Sequence, residues 1–376
     1  MNTSELIERV FAETIAAHGG RVYRVGGCVR DAFMGKTPQD IDLCIVGMVK
    51  KQFKVLFPAA EEHGKSFPVF RLTIDGVKCE LAFARTERKV GSGYKGFKVS
   101  SNPKVSIEED LFRRDVTVNS IAVDSLSGAV IDPFNGIADI KNKILRATSQ
   151  HFSDDPIRAV RLAAQSARLG FSIDGATLVL AGSVSDELAA EPTERIAAEL
   201  AKVLAEAQEP ARFFRTLAAA KLLQVTFAEI TKLTTEQFES AMIKLDMVAK
   251  ATPQVKLRFA AVGLDLGKDN LARWNSSMTL PGEWLACAIA FAKIVSLLGI
   301  PSPENVVAAI NFLRRGSLTV EDFDIMTRAM GLAVPVLKPL QAAISVPEGS
   351  VPKHLQGKAL GEWLKDRQVE LVAKLL

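Results

Sequence analysis

Apolar and polar residues alternate in short runs over the first 145 residues of the chain. Between positions 40 and 45, aspartate and cysteine alternate with isoleucine and leucine, a period of two that predicts a strand over 41–46 with one apolar face. Similar runs predict further strands over 22–25, 69–74, 79–84, 117–123 and 130–131. Strands of this kind, separated by turns and a few helices, indicate an α/β domain.

After residue 151 the pattern changes to the helical period. Ile196, Leu200, Val203 and Leu204 recur three or four positions apart, and Thr193 is placed to cap the start of their helix. Helices are also predicted over 211–223, 238–249, 255–264 and 283–298. We therefore expect an α/β head over 1–145, followed by an all-α neck over 146–220 and an all-α body and tail over 221–376, which makes the chain α+β overall.

Length, composition and charge limit the class of protein to which the chain can belong. A length of 376 residues allows two or three domains, and 48% hydrophobic with 24% charged residues is typical of a globular protein. No basic stretch leads into an apolar run at the start, and Lys293 breaks the run over 285–300, so neither a secretory signal nor a membrane partner is expected. The four cysteines lack zinc-like spacing, which favours reduced thiols and a cytoplasmic location. The net charge of +4 permits a polyanionic partner.

Two adjacent glycines and two nearby aspartates are the strongest chemical signal. Gly26 and Gly27 follow a predicted strand, and a glycine pair lets backbone N–H groups close around a phosphate at the start of a helix. Asp40 and Asp42 are two positions apart in the next strand, so they share a face and are suited to hold a pair of divalent ions. Alone, each feature is better explained by an ordinary turn or by solvated acids. Together, in strand–turn–helix–strand order, they predict a site for nucleotidyl transfer.

Glu80 heads another strand-like run and supplies a possible third carboxylate. Beside Asp40 and Asp42, it would help to position metal or would deprotonate the attacking hydroxyl. The alternative is an ordinary acid on an edge strand.

The stretch from Arg113 to Asn119 places two cations, an acid and an amide within seven residues. In strand alternation Asp115, Thr117 and Asn119 would share a face. The rigid fork of arginine suits a phosphate, so Arg114 is the candidate for the triphosphate. The alternative is a salt-bridged turn that involves the acids at 108–110.

A predicted helix carries Asp155, Arg158 and Arg161 at spacings of three, so they share one face of it. Pro156 fits the first turn of this helix, and the acid before it fits the cap position. An acceptor and a donor presented together suit the edge of cytosine or adenine, where an amino group lies beside a ring nitrogen. Uracil and guanine present the opposite polarity there and would leave the site's groups unpaired. The alternative is a capped helix with ordinary ion pairs.

A glycine-punctuated basic loop covers 85–98 and contains two aromatic residues. Beside a phosphate site, such a loop would order around the triphosphate or the incoming nucleic acid strand. The alternative is a flexible surface hairpin.

Together these segments resemble the class II tRNA nucleotidyltransferases, the CCA-adding enzymes, and the related bacterial poly(A) polymerases. The stretch 26–31 is similar to their Gly-Gly-x-Val-Arg-Asp signature, 40–42 to their metal pair, and 113–119 to their Arg-Arg-Asp-x-Thr-x-Asn segment. The stretches 132–139, 154–158 and 194–204 resemble further shared segments. The likeness is ordered from about residue 20 to 205 and thins to scattered helical similarity beyond it.

The resemblance implies a nucleotidyltransferase head with two Mg²⁺ ions at Asp40 and Asp42 and a protein pocket in place of a template. It also implies that the nucleotide's phosphates or sugar are contacted by Gly27, Arg30, Arg114 and Arg161, and its base by Asp155 and Arg158. The implied partners are tRNA, ATP and CTP, and no DNA is expected.

Two departures from the family pattern concern function. Ala164 and Gln165 stand where the family often has arginine and phenylalanine, so one nucleotide contact is missing or is supplied elsewhere. The stretch 258–268 resembles the hallmark of a phosphohydrolase domain, but Leu264 stands where histidine should bind metal. We therefore expect no phosphohydrolase activity.

The leading hypothesis is template-independent addition of C, C and A to tRNA 3′ ends from CTP and ATP. A poly(A) polymerase is the nearest alternative, although 64–70 lacks the basic run associated with those enzymes. An enzyme that adds only CC is a further alternative, against which the intact loop over 85–98 speaks. A catalytically silent RNA-binding protein is the non-enzyme alternative, and the retained Asp40, Asp42 and Arg114 oppose it.

Overall fold

The computed structural model describes residues 3–38, 40–63, 69–74, 77–91, 96–346, 350–352 and 354–376. The chain divides into two compact units, the first comprising residues 1–166 and 170–191 and the second residues 167–169 and 192–376. The expected α/β head followed by an all-α part is confirmed. The finer division into head, neck and body by function stays a prediction.

The first unit combines short helices with one mixed sheet and two small ones. Its helices are α1 (Thr3–Ala17), α2 (Gly27–Phe33), α3 (Lys50–Leu56), α4 (Ile107–Phe112), α5 (Gly136–Asn142), α6 (Ile157–Leu169, whose last three residues fall in the second unit), α7 (Gly175–Gly182) and α8 (Ser185–Ala189). Its strands are β1 (Arg21–Val25), β2 (Ile41–Val46), β3 (Glu61–His63), β4 (Val69–Ile74), β5 (Val77–Phe83), β6 (Thr86–Lys89), β7 (Phe97–Ser100), β8 (Ala122–Asp124), β9 (Val130–Ile131), β10 (Ile144–Leu145) and β11 (Ser172–Ile173).

Seven of the strands in the described part of the chain form the main sheet, in the order β3-β4-β5-β2-β1-β8-β9. Its pairings are antiparallel except that between β2 and β5, which run parallel with Asp42 opposite Glu80. The strands predicted at 41–46, 69–74 and 130–131 are confirmed to the residue, and those at 22–25 and 79–84 to within two residues.

The strand predicted over 117–123 is wrong in its first half. Thr117–Asn119 form a 3₁₀ turn, and the sheet is joined only by β8. The Thr117 hydroxyl donates to Asp139 Oδ2 at 2.7 Å, and a Cβ added at Gly136 would lie only 2.2 Å from the Thr117 carbonyl oxygen. These tertiary contacts hold Thr117–Asn119 as a turn, so the expected shared strand face of Asp115, Thr117 and Asn119 does not form.

Helices cover both faces of the main sheet. Phe53 of α3 belongs to the apolar cluster of Leu43 on one face, and Leu111 of α4 belongs to the cluster of Cys44 on the other. Side chains two positions apart in a strand point to the same face, so Asp42 shares the α4 side of the sheet with Cys44. Packing thus places the acid at the margin of a core that α4 covers.

The second unit consists of helices: α9 (Thr193–Glu206), α10 (Ala211–Ala219), α11 (Leu223–Thr226), α12 (Thr235–Ala251), α13 (Val255–Leu266), α14 (Lys268–Ser277), α15 (Gly282–Leu298), α16 (Pro303–Leu313), α17 (Val320–Ala329), α18 (Leu337–Ala343) and α19 (Gly357–Ala373). None of the helices in the described ranges is long and apolar enough to span a membrane.

Two details of the helical pattern differ from expectation. Thr193 does not cap α9, because the extended Pro192 occupies the cap position and Thr193 is the first helical residue. The helix predicted over 211–223 is broken between α10 and α11, where Lys221 adopts the left-handed conformation with φ of 59°. A left-handed residue cannot continue a right-handed helix.

The helix α13 carries the segment that resembles a phosphohydrolase hallmark. Arg258 in it is buried and donates to four backbone carbonyls, those of Leu204, Ala207, Ala249 and Thr252, at 2.7–3.0 Å. Asp265 is ion-paired with Lys244 at 2.8 Å. Both charged side chains therefore have structural partners in this unit.

Candidate active site

The glycine turn between β1 and α2 brings a carboxylate and a guanidinium together. Gly26 has φ of 74° and ψ of −139°, a backbone conformation that is essentially reserved for glycine. A Cβ added at Gly26 would lie 3.2 Å from Arg114 Nη1 and 3.3 Å from Asp42 Oδ2. Gly27 follows as the first residue of α2. The turn therefore lies against both an acidic and a basic predicted site residue.

Carboxylates gather around Asp42 on the α4 side of the sheet. Burial raises the pKa of Asp42, the charge of Arg114 opposes this effect, and the negative charges of Glu80 and Asp40 add to it. Asp40 is exposed and lies one residue before β2 begins, so only Asp42 of the two acids expected to share a strand face lies in the strand itself. Mutual repulsion of this kind is relieved when a cation binds between the groups.

Glu80 lies on a central strand, and the edge-strand alternative is wrong. The strand β5 has β4 on one side and β2 on the other. Glu80 is opposite Asp42 across one neighbour and opposite Arg71 across the other, and it forms an ion pair with Arg71 at 2.9 Å. Arg71, Glu80 and Asp42 thus form a row across three strands.

The donor set fits a hard divalent cation. Mg²⁺ takes oxygen ligands and is usually held by one or two carboxylates, with waters and substrate phosphates completing its shell. Among the residues that the structure describes, no group of three or more His, Cys, Asp or Glu side chains is arranged to hold a metal alone. Asp40 and Asp42 are the two carboxylates that would hold such an ion, and the substrate would supply further ligands.

Arg114 belongs to a buried ion cluster at the end of α4. Asp110 is 0% exposed and accepts from Arg113 at 2.6 Å and from Arg114 at 3.0 Å. The helix begins with a capping box between Ser106 and Glu109. The salt-bridged turn that we considered as an alternative is therefore present, and it orients Arg114 beside the glycine turn.

We expect Asp110→Asn to lower the free energy of unfolding by about 3–5 kcal/mol at pH 7, because it leaves the largely buried Arg114 without its ion-pair partner and Arg113 with Glu87 alone. Burial would raise the pKa of Asp110, but the charges and hydrogen bonds of Arg114 and Arg113 outweigh burial and lower it. The carboxylate therefore stabilises the fold above about pH 4, and this stability is lost as the pH falls through the lowered pKa. Urea titrations from pH 3 to 7 measure both effects.

The matched control for Asp110→Asn is Glu108→Gln, an exposed acid in the first turn of the same helix. Its unfolding free energy should change by less than about 0.5 kcal/mol. An Asp110→Asn protein that is as stable as this control would show that the cluster does not support the fold.

Arg30 lies on α2 with its side chain turned along the glycine turn. Its guanidinium donates to Asp31 at 2.7 Å and to Asn119 Oδ1 at 2.9 Å. The charge of Arg30, like that of Arg114, also opposes the rise that burial causes in the pKa of Asp42. Gly26, Arg30, Asp42 and Arg114 are therefore brought together, as the sequence predicted.

The helix face predicted to carry Asp155, Arg158 and Arg161 forms only in part. The helix α6 begins at Ile157, and the preceding 3₁₀ turn leaves Asp155 extended, with φ of −111° and ψ of 107°. Asp155 is therefore off the helix face that carries Arg158 and Arg161, and Pro156 occupies the cap position without a side-chain cap bond. The Asp155 carbonyl accepts from the Arg158 backbone N–H at 3.0 Å, which still holds the two residues together.

The two arginines of α6 are anchored within the first unit. Arg158 donates to the His151 carbonyl at 2.6 Å and lies 3.7 Å from Glu87. Arg161 forms an ion pair with Asp115 at 3.0 Å. Both side chains are thus held by fixed partners in the arrangement described.

The basic loop is rooted in the hairpin of β6 and β7. Glu87 in β6 accepts from Arg85 at 2.7 Å and lies 3.2 Å from Arg113, and Lys89 pairs with Glu187 at 2.7 Å. Residues 92–95 lie outside the described residues, so the contact expected of the loop tip stays a prediction.

Several polar residues that support the site were not predicted as site residues. Asp110 had a signal, since it lies three and four positions before Arg113 and Arg114. Asn119 lies in the stretch 113–119 that drew attention, but its bond to Gln165 had no signal, because it joins positions 46 residues apart.

Two family models match the chain. One describes the Poly A polymerase head domain and matches residues 22–146, which include the glycine turn, both aspartates and Arg114. The other describes the "Probable RNA and SrmB- binding site of polymerase A" and matches residues 170–233.

Curated relatives are similar over most of the chain. The "CCA-adding enzyme" of Pseudomonas putida is 33% identical over 370 residues, which cover 93% of this chain and 97% of that protein. The "Multifunctional CCA protein" of Pseudoalteromonas atlantica is 37% identical over 280 residues, which cover 70% of this chain and 66% of that protein. The chain thus matches just under two thirds of the latter relative's length.

Solved structures have the same fold. The CCA-adding enzyme of Bacillus stearothermophilus, solved in complex with CTP, superposes with a TM-score of 0.70 at 22% identity, over 100% of this chain and 93% of that chain.

Proposed function

Because this chain belongs to the family of the CCA-adding tRNA nucleotidyltransferases and poly(A) polymerases, we propose that it adds C, C and A to tRNA 3′ ends from CTP and ATP. The observation that carries the proposal is the position of Gly26, whose added Cβ would lie 3.2 Å from Arg114 and 3.3 Å from Asp42. A cation for the triphosphate and an acid for metal thus flank one phosphate-binding turn.

In the proposed reaction the 3′ hydroxyl of the RNA attacks the α-phosphate in line. The new phosphodiester bond forms as the bond to the β-phosphate breaks, and pyrophosphate leaves. Asp40 and Asp42 would hold Mg²⁺, which stabilises the charge on the attacking and leaving oxygens when it is bound. Arg114 and the N–H groups of the glycine turn would hold the triphosphate, and Glu80 would orient the hydroxyl or take its proton.

Base choice is assigned to Asp155 and Arg158. Cytosine and adenine both present an amino donor beside a ring-nitrogen acceptor, and these match a carboxylate and a guanidinium. The His151 carbonyl fixes Arg158 at 2.6 Å, which restricts the directions in which its remaining N–H groups point. Uridine and guanosine triphosphates would leave buried groups unpaired and are expected to be poor substrates.

The second unit is proposed to hold the tRNA. A groove of about 690 Å³ between α16 and α19 is lined by Asn311, Phe312, Arg315, Gly316, Gly361, Leu364, Lys365 and Gln368. Lys293 lies 4.3 Å from the centre of the Phe312 ring. Cations beside an aromatic ring and amide groups suit an RNA strand. In the same part of the chain Lys358 pairs with Glu362 and Arg367 with Glu370, and Lys353 lies outside the described residues.

We also place the protein in the cytoplasm. Cys28, Cys44, Cys79 and Cys287 are free and buried, as expected of thiols that stay reduced. Burial raises the pKa of Cys79 to about 11, so this thiol is protonated and unreactive at neutral pH.

The experiment that tests the proposed function supplies the protein with tRNA transcripts ending before the tail, after the first C, and after CC. CTP alone should extend the first transcript by two residues, ATP alone should extend only the CC transcript, and both together should add three residues and stop. Sequencing the products and repeating the reaction with UTP and GTP measures base choice. An unstructured RNA of equal length is the control substrate.

Each alternative predicts a different product. Long A tracts on either RNA would identify a poly(A) polymerase, and arrest after two cytidines in the presence of ATP would identify a CC-adding enzyme. Binding of tRNA without any extension would identify a silent RNA-binding protein. The stretch 64–68, on which the poly(A) comparison partly depends, lies outside the described residues, so the product assay decides this point.

A further inference from the structure

A buried amide network joins the glycine turn to helix α6. We propose that Gln165 is a positioning residue for nucleotide binding, because its side chain braces the Asn119–Asp115 hydrogen bond that joins Arg30 of α2 to Arg161 of α6. This inference rests on the proposed function, since it assigns both arginines to the bound nucleotide. Gln165 itself does not touch the nucleotide.

Gln165 uses both ends of its amide. Its Oε1 accepts from Asn119 Nδ2 at 2.9 Å, and its Nε2 donates to Asp115 Oδ2 at 3.1 Å. Asp115, Asn119 and Gln165 are 6%, 8% and 7% exposed. Water therefore has little access to replace these bonds, and each lost partner leaves a buried polar atom unpaired.

Asn119 connects Gln165 to the glycine turn. Its Oδ1 accepts from Arg30 Nη1 at 2.9 Å, and its Nδ2 donates to Asp115 Oδ1 at 3.1 Å as well as to Gln165. Only one orientation of each amide satisfies all of these partners, because a reversed amide would face N–H to N–H or oxygen to carboxylate. The donors and acceptors of the network therefore have one arrangement, and this arrangement fixes the orientation of the Arg30 guanidinium.

Asp115 connects Gln165 to α6. One carboxylate oxygen accepts from the Val116 backbone N–H at 2.9 Å and from Asn119, and the other accepts from Gln165 and from Arg161 at 3.0 Å. Arg161 pairs through its guanidinium Nη2, and its side chain is 46% exposed, so the guanidinium is anchored while part of the side chain remains open to a ligand. Both carboxylate oxygens of Asp115 therefore accept hydrogen bonds. The Gln165–Asn119 bond connects the two donors, since Asn119 donates to Oδ1 and Gln165 to Oδ2.

The consequence is a joint orientation of two cations from distant parts of the sequence. Arg30 lies in the signature that follows β1, and Arg161 lies in the helix expected to read the base. Without Gln165, Asn119 and Asp115 each lose a partner, and only their direct hydrogen bond of 3.1 Å still joins the two arginines. Nucleotide affinity should therefore fall, whereas the acids around Asp42 keep their arrangement.

The test compares Gln165→Met, which keeps the length of the side chain and removes both hydrogen bonds, with Ser166→Ala. Ser166 is the next residue in α6, is buried, and donates to the Phe171 carbonyl at 2.7 Å outside the network. Loss of the Ser166 hydroxyl shows how far a general loss of stability in α6 affects nucleotide binding. Gln165→Asn, a shorter amide that cannot reach both partners, is the second variant if Gln165→Met does not fold.

We expect Gln165→Met to raise KM for CTP and for ATP about 10-fold, the effect of one lost hydrogen bond, and to change kcat by less than about threefold. Calorimetric titration of CTP without tRNA should show the same loss of affinity. The KM for tRNA should not change. Ser166→Ala should lower Tm to a similar extent and leave both nucleotide KM values unchanged.

The outcomes separate the two claims. Unchanged CTP and ATP constants in folded Gln165→Met or Gln165→Asn protein would overturn the positioning role while leaving the proposed function intact. A rise of KM in Ser166→Ala that matches its loss of Tm would also overturn it, because the effect would then follow stability. Wild-type protein that neither binds CTP nor extends tRNA would overturn both the proposed function and this inference.

Discussion

Asp42→Ala should reduce nucleotide incorporation by about 1000-fold or more while leaving tRNA binding intact. The carboxylate lies against the glycine turn that also faces Arg114, and it is the acid around which Asp40 and Glu80 gather. Stabilising the charge that develops on two oxygens is worth several kcal/mol, and each 1.4 kcal/mol changes a rate about tenfold. Loss of this ligand should therefore appear in kcat rather than in the KM for tRNA.

The measurement is single-turnover incorporation of labelled CTP, with tRNA affinity measured separately by filter binding. Asp42→Asn should be as inactive as Asp42→Ala and no less stable than wild type, because a neutral amide relieves the repulsion from Asp40 and Glu80. Glu61→Gln, an exposed acid on the edge strand β3, is the matched control and should retain full activity. Normal turnover in Asp42→Ala would refute the metal-binding role.

Gly26→Ala should lower kcat/KM by about 100-fold or more, because it displaces the two groups that flank the turn. An added Cβ would lie 3.2 Å from Arg114 Nη1 and 3.3 Å from Asp42 Oδ2, closer than nine in ten Cβ contacts, so both groups must give way by a few tenths of an ångström. The turn must also shift to relieve its backbone strain, and a combined displacement of about 1 Å in a reacting group is enough for a loss of this size. The φ of 74° and ψ of −139° would add about 1–3 kcal/mol of backbone strain.

Gly35→Ala separates strain from displacement. Gly35 follows the C-cap residue of α2 and has φ of 72°. A Cβ added at Gly35 would have no neighbour within 4 Å. It should lose about 1–2 kcal/mol of stability through its left-handed backbone and keep its activity. Chemical unfolding and steady-state kinetics on both variants make the comparison. Equal losses of activity in the two proteins would mean that Gly26 matters only for folding.

The parts of the site that could be predicted are those with signals in short stretches. Alternation placed Asp42 on a strand, and two adjacent glycines marked the turn, because both features depend on local backbone geometry. Arg114 was predicted from the chemistry of a guanidinium, and its orientation by Asp110 follows from helical spacing.

The parts that could not be predicted depend on tertiary contacts. The turn at 117–119 reads as strand by composition, and only the bond to Asp139 and the close approach of Gly136 explain why it is not. Asp155 fits a helix face by spacing, but the 3₁₀ turn before it keeps it extended. The bonds of Gln165 to Asn119 and Asp115 cross 46 and 50 residues, distances over which periodicity carries no information.

The central claim is that Asp40 and Asp42 hold divalent ions beside a nucleoside triphosphate in the glycine turn. Its most direct measurement is a crystal structure of the protein with Mn²⁺ and CTP, in which anomalous scattering locates the ions. The account predicts manganese bound to Asp40 and Asp42, with the triphosphate against Gly26, Gly27 and Arg114. Nucleotide bound in another cleft, with both aspartates free of metal, would contradict it.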